Sequence, residues 1–458
     1  MASPQNDSAP LTLGTTSVGR LLMQYSVPAI IASVVTSLYN IIDSIFIGQG
    51  VNALAISGLA ITFPLMNLVM AFVMLIAAGG AAISSIFLGQ KDLSRATDVV
   101  NNVLVLSLVT SVIVGGTGLL FIDDILVSFG ATSETITYAR EFMTIILATT
   151  PVAFVFIGLN NIMRATGYPK KAMVSALLSV AVNLILCPIF IFKFHWGIAG
   201  AAIATVCGQL TAVVWVLAHF LSPKSYVRLR WRNRWLSWPI IRRIYAIGLA
   251  PFLMNVCACI VVVFINRSLL SYGGADGNLC VGAYGIVNRV TMLFVMIVFG
   301  ITQGMQPILG FNYGAGHWNR VRRTLNLGVW AGVIVTTVGF AVAQLFPDEV
   351  SRMFTVDATL IALARQAFRI YFIFFPFVGC QIIIQNFFQS IGKPTYSIFL
   401  SLTRQLLFLI PLLIVFPQIW GVDGVWSAMA GSDLLAFFTA ITTLVLVMRR
   451  LNRQFSKI

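Results

Sequence analysis

Twelve long apolar runs, separated by charges and by Gly/Pro clusters, constrain this chain more than any other feature. They fall near residues 22–47, 54–88, 97–121, 137–162, 171–192, 198–221, 241–270, 280–310, 321–346, 361–390, 395–417 and 422–448. A helix needs about 20 apolar residues to cross the hydrocarbon core of a bilayer. The runs meet that length, and those that exceed it must tilt, kink or extend beyond the membrane. Composition excludes a soluble enzyme: 59% of the 458 residues are hydrophobic and only 9% are charged, against roughly 25% charged in a soluble domain. A β-barrel is excluded too, because its strands show alternating segments of about ten residues. The expected fold is therefore an all-α polytopic membrane protein with twelve transmembrane helices.

The net charge of +15 could point to nucleic acid, but its distribution points to membrane orientation instead. Most of the 29 lysines and arginines fall in the tails and the even-numbered loops. They include Arg20, Lys91, Arg164, Lys170, Arg320, Lys393 and Arg449, with a dense group from Lys224 to Arg243. The opposite side holds Arg140, Lys193, Arg267, Arg352, Arg365 and Arg369 with most of the acids. The positive-inside rule then places both termini in the cytoplasm. No nucleic-acid partner is expected. The polar N-terminus lacks a basic region followed by a short apolar stretch, so no cleaved signal peptide is expected either.

The two halves repeat. An offset of 225 pairs Phe129 with Phe354, Ala139-Arg140 with Ala364-Arg365, Pro151 with Pro376 and Gly167-x-Pro169 with Gly392-x-Pro394. Smaller offsets pair Pro28 with Pro251 (223) and Gly89 with Gly310 (221), as a loop deletion would produce. Six spans per repeat is an even number, so the halves share one orientation about a pseudo-twofold axis along the membrane normal. The expected organisation is a cytoplasmic tail (1–20), an N-lobe (21–221), a basic cytoplasmic linker (222–243), a C-lobe (244–448) and a second tail (449–458). Duplicated lobes around a midplane site suit alternating access.

Catalytic and metal-binding patterns are not found. The six cysteines lie almost wholly within apolar runs, none has zinc-ligand spacing with nearby histidines, and no Ser/His/Asp grouping or phosphate-binding Gly-rich loop occurs. The expectation is no enzyme, no metal and no cofactor.

Asp43 is the sharpest chemical signal. A carboxylate inside a span costs at least about 2.5–3.5 kcal/mol on insertion scales, so intramembrane acids usually serve function. Only Asp43 and Asp433 lie well inside spans. Tyr39, Asn40 and Asp43 share one face of the first helix by their spacing. The fifth span carries Ser175, Ser179, Asn183 and Cys187 at steps of four, and the sixth carries Thr205 and Gln209. Such residues also glue membrane helices together. The second half has Gln381, Gln385 and Gln389 at steps of four, with Arg289 and Arg404 inside spans and no obvious acid partner. Asn266 stands where the repeat would place a partner of Asp43. Pro28 and Pro251 each delete one helical hydrogen bond and permit a kink.

These residues resemble the multidrug and toxic compound extrusion (MATE) transporters, in their DinF-like prokaryotic branch. The resemblance is carried by Pro28 with Leu38-Tyr-Asn-Ile-Ile-Asp-Ser-Ile-Phe-Ile-Gly48, by Asn183-Leu-Ile-Leu-Cys-Pro-Ile-Phe-Ile191 and by Gly197-Ile-Ala-Gly-Ala-Ala-Ile-Ala-Thr205. Tyr272-Gly-Gly274 and the distinctive Gly300-Ile-Thr-Gln-Gly-Met-Gln-Pro-Ile-Leu-Gly-Phe-Asn-Tyr-Gly-Ala315 complete it. It spans nearly the whole chain. It implies two six-helix lobes, a V-shaped cleft and cation-coupled export of small amphipathic, cationic organic compounds from the cytoplasm, across the inner membrane of a prokaryote, by a monomer. It maps a first-lobe cation site onto Asp43, Asn183 and Thr205, a hinge onto Pro28, and substrate contacts onto Tyr39 and Asn160; Asn40, on the face of Tyr39 and Asp43, is a further candidate substrate contact. Related members commonly carry a second Asp where this chain has Cys187. Sulfur is a poor ligand for hard Na⁺, which favours H⁺ over Na⁺ as coupling ion. The alternative function is that of a lipid-linked precursor flippase of the same superfamily.

Overall fold

The protein is described from a computed structural model, which describes residues 9–51, 53–223, 225–230 and 236–455. The expected tails and linker lie partly outside the described residues. Among those residues the secondary structure is helical throughout, without a strand. Eleven helices are long and apolar enough to cross a membrane, and a bent pair supplies the twelfth span.

The spans are α1 (Val18–Gly50), α2 (Ala53–Gly89), α3 (Leu93–Leu120), α4 (Ile136–Ala148 and Thr150–Ala165), α5 (Pro169–Lys193), α6 (Gly197–Leu221), α7 (Trp238–Tyr272), α8 (Gly277–Gly314), α9 (Trp318–Leu345), α10 (Ala358–Ser390), α11 (Pro394–Trp420) and α12 (Val422–Phe455). Acids cap helices where the chain turns: Asp92 accepts from the Arg95 amide at 2.9 Å, and Asp357 from the Thr359 and Leu360 amides at 2.8 and 3.0 Å. The two segments of α4 bend by 55° at Thr149, just before Pro151, whose ring cannot continue the hydrogen-bond ladder. Its repeat partner Pro376 follows a 3₁₀ turn at Phe372–Phe374 within α10. The Gly-x-Pro turns after α4 and α10 place Gly167 and Gly392 at φ +108° and +71°, a region that favours glycine.

The chain divides into two compact units. Unit 1 holds residues 1–17, 31–252 and 306–315, and unit 2 holds 18–30, 253–305 and 316–458. Within each, the repeat is visible in matching contacts. Arg140 pairs with Asp123 at 2.6 Å in unit 1, and Arg365 with Asp348 at 2.5 Å in unit 2. Asn160 donates to Ser175 Oγ at 2.5 Å, and Gln385 to Ser401 Oγ at 2.6 Å.

Core packing is kept by exchange of size. In unit 1 Gly80 faces Val103 and Gly158 faces Ser107 and Val103; in unit 2 Met305 faces Gly328 and Ile383 faces Gly328 and Gly332. Each bulky side chain thus meets a glycine, and the sum of volumes across a contact stays near the close packing that interiors require.

Glycines also set helix crossings. In unit 1 a Cβ on Gly79 would strike the Ile244 carbonyl, and one on Gly248 would strike the Leu75 carbonyl, so α2 and α7 touch backbone to backbone. In unit 2, Gly300 and Gly304 of the distinctive α8 motif lie against Ile30 and Ser26 of α1. The same motif ends at Gly314, whose Cβ would meet the Ile86 carbonyl, while one on Gly89 would meet that of Phe311. This reciprocal contact pairs Gly89 with Gly314 at the common offset of 225, which corrects the pairing with Gly310. Replacing Gly248 by Leu is expected to destabilise the protein by about 2–3 kcal/mol or more, as overpacking does. Thermal unfolding in detergent checks this; an unshifted midpoint would contradict the backbone contact.

Candidate functional site

The first-lobe residues converge within unit 1 as two rungs on α1, α5 and α6. Tyr39 and Asp43 stand four apart on α1, and Asn183 and Cys187 four apart on α5. The two pairs therefore face each other one helical turn apart, about 6 Å along the axis.

The first rung is a triangle. Asn183 Nδ2 donates to Thr205 Oγ1 at 3.0 Å and to the Tyr39 hydroxyl at 3.2 Å. Thr205 Oγ1 gives its own proton to the Ala201 carbonyl at 3.1 Å, so Tyr39 donates across the remaining 3.1 Å side. Both amide hydrogens of Asn183 are thereby used. Its Oδ1 is buried with no partner, an acceptor left open one helical turn from the acid.

The second rung is Asp43 and Cys187. Asp43 is 8% exposed, and the fully buried Cys187 thiol donates to its Oδ1 at 3.1 Å. The ion pairs among the described residues are Arg95–Asp92, Arg140–Asp123, Arg365–Asp348 and Arg404–Asp433. None involves Asp43. It is a buried carboxylate with a weak thiol donor and no ion-pair partner among the described residues, which makes its charged form costly. No group of three or more His, Cys, Asp or Glu suited to a metal occurs among the described residues.

Other expected residues lie elsewhere. Asn160 is buried and committed to the α4–α5 junction, donating to the Ala172 carbonyl at 3.0 Å and to Ser175 and accepting from Arg164 at 3.4 Å. Among the described residues it makes no hydrogen bond to Tyr39, Asp43, Asn183 or Thr205. The side chain of Asn40 lies outside the described residues. Pro28 sits inside α1, which continues through it as one helix. In unit 2, Gln385 is bound to Ser401 and contacts the Met254 sulfur at 3.5 Å. Arg404 does have an acid partner: its Nε donates to Asp433 at 2.7 Å. Sequence reasoning noted both residues but missed the pairing, because they are 29 positions apart on successive helices. Arg289 stacks over the Phe354 ring at 6.0 Å.

Comparison with known proteins identifies the family. The MatE family model matches residues 28–189 and 246–415, one segment in each half. The multidrug export protein MepA of Staphylococcus haemolyticus is 26% identical over 422 residues, covering 92% of both chains. The solved structure of the MATE multidrug transporter DinF-BH, determined as a complex, is 36% identical, with a TM-score of 0.88 over 97% of this chain and 98% of that one. A MATE crystal structure in the bent conformation, 23% identical, has the same fold, with a TM-score of 0.92 over 99% of this chain and all of that one. With both halves matched by one family model and the twelve-span fold shared along its length, the chain belongs to the MATE family of membrane transporters.

Proposed function

We propose that this protein is a multidrug exporter that exchanges small amphipathic organic cations from the cytoplasm for protons taken up at Asp43. The observation that carries this reading is the isolation of Asp43, a carboxylate buried in a span without a compensating cation. Such a group is suited to bind a proton or a cationic substrate in turn, so that one ligand expels the other. Tyr39, Asn183 and Thr205 hold the helices that bear it in register. The open Asn183 Oδ1 offers an acceptor for a water, a proton or a polar substrate group.

Proton coupling is favoured over Na⁺ because the group hydrogen-bonded to Asp43 is a thiol. Sulfur is soft and its hydrogen occupies a carboxylate lone pair that a hard cation would need. The two lobes, 21–221 and 244–448, would alternate access, in a monomer seated in the inner membrane with both termini cytoplasmic. The charge bias of the loops supports that orientation.

The test is flux of a fluorescent organic cation in proteoliposomes under a pH gradient or a Na⁺ gradient imposed separately. Efflux driven by the pH gradient is expected. Efflux under Na⁺ alone would overturn the proton assignment, and flipping of a pyrophosphate-linked lipid without dye flux would favour the flippase alternative. Pro28 is proposed as the hinge of α1, since its missing N–H leaves one carbonyl of the ladder free. Pro28→Ala is expected to slow initial efflux at unchanged protein level; an unaltered rate would remove the hinge role.

A further inference from the structure

Arg404 on α11 and Asp433 on α12 form the one ion pair within the spans among the described residues, and both belong to unit 2. The Asp433 side chain is 1% exposed and that of Arg404 28%. A buried pair of this kind is a doubtful source of stability, because desolvation offsets the attraction. Unit 1 shows that the fold does not require it. At the offset of 225, Ser179 stands for Arg404 and Gly208 for Asp433, and a Cβ on Gly208 would press on the Ser179 carbonyl. The same crossing is closed there by small residues with no charge.

The pair leaves groups unused. Asp433 takes only Arg404 Nε, and its Oδ2 is buried without a partner. The terminal nitrogens of Arg404 make no hydrogen bond or ion pair among the described residues, although Tyr371 lies near enough to the pair to act on it electrostatically. Arg404 shares a helical face with Ser397 and Ser401, both buried, whereas the exposed apolar residues Phe399, Leu406 and Leu407 occupy the other side. It lies ten residues into α11, about 15 Å along it and so near mid-depth. At that depth a cation with unpaired N–H groups is costly against hydrocarbon, and such groups almost always turn toward the bundle interior. Arg404 also sits in a π-helical turn, Thr403–Leu409, an irregularity frequent at functional sites.

We propose that Arg404, aimed by Asp433, binds the anionic oxygens of an amphipathic ligand, a carboxylate or a phosphate. Asp433 fixes the guanidinium through Nε and leaves the two terminal nitrogens as a fork, the geometry that grips such a group with paired hydrogen bonds. Unit 2 thereby recognises the charge opposite to the one that Asp43 suits in unit 1. The site extends the exporter reading, but binding alone tests it.

The experiment uses purified full-length protein and two xanthene dyes that differ only in whether the phenyl carboxylate is free or esterified, with affinities read by fluorescence polarisation. Wild type is expected to prefer the free acid. In Arg404→Ser/Asp433→Gly, which installs the residues of unit 1, the ratio of acid-dye to ester-dye affinity is expected to fall roughly tenfold, as when a hydrogen-bonding site loses its group. Arg404→Gln/Asp433→Asn is expected to do the same if the first variant does not fold, and Arg404→Lys to retain part of the preference. Displacement of the acid dye by phosphatidylglycerol in the micelle, but not by phosphatidylcholine, would assign the anion to a lipid headgroup; no displacement would assign it to a free ligand. An unchanged ratio in the folded variants, or parallel loss of both dyes, would overturn the proposal. Dye efflux by wild type tests the exporter reading separately.

Discussion

Replacing Asp43 by Asn is expected to reduce substrate efflux to background, by at least about 100-fold on the scale of a lost proton-transfer group, while the protein remains in the membrane at its normal level. Asn has nearly the shape of Asp and can still receive the Cys187 thiol, now 3.1 Å from Oδ1, so the rung keeps its geometry and loses only its capacity for charge. Initial rates of dye efflux, with membrane protein quantified alongside, check this. An Asp43→Asn variant that still pumps would contradict the role assigned to the carboxylate.

Replacing Cys187 by Asp is expected to change the coupling ion. It puts hard oxygens where the thiol now donates and removes the hydrogen that fills an Asp43 lone pair. With Asn183 Oδ1 already open one turn away, the rungs would then offer oxygen ligands of the kind hard cations take. A Na⁺ gradient, inert toward wild type, is expected to raise efflux by the variant about tenfold over a K⁺ control, which corresponds to roughly 1.4 kcal/mol of new binding. Absence of any Na⁺ effect in a correctly inserted variant would show that Cys187 does not set ion preference.

The architecture was legible because the bilayer imposes length. Apolar runs of about 20 residues can be read from the chain alone, and the duplicated Gly167-x-Pro169 and Gly392-x-Pro394 mark equivalent turns. The irregularities were less so. The 55° bend in α4 and the π-helical turn of α11 depend on local backbone choices that no periodicity records, although Pro151 flags the first. At the site, spacing placed Tyr39 with Asp43 and Asn183 with Cys187 on common faces, since four residues bring side chains one above another. It could not show which face meets which. Asn160 illustrates the loss: its partners Ala172 and Ser175 lie beyond the Gly167 turn, and only folding reveals that its amide is used there. Arg404 and Asp433 were visible as costly charges, but their pairing required α11 and α12 to be docked.

The exchange of size between Gly80–Val103 and Met305–Gly328 shows how duplicated halves can diverge without losing density. The same freedom admitted charge at Arg404 and Asp433 in unit 2 and left Asp43 unmatched by Asn266 in the repeat. A transporter built this way can assign coupling to one half and ligand selection to the other.

The central claim, that substrate and proton compete at Asp43, is tested most directly by proton release. Substrate added to purified protein in weakly buffered detergent should release about one proton per molecule bound, since binding and deprotonation are reciprocally linked, and Asp43→Asn, neutral like the protonated acid, should bind substrate more weakly and release no proton. Binding to wild type with no proton release, or equal release from the variant, would contradict it.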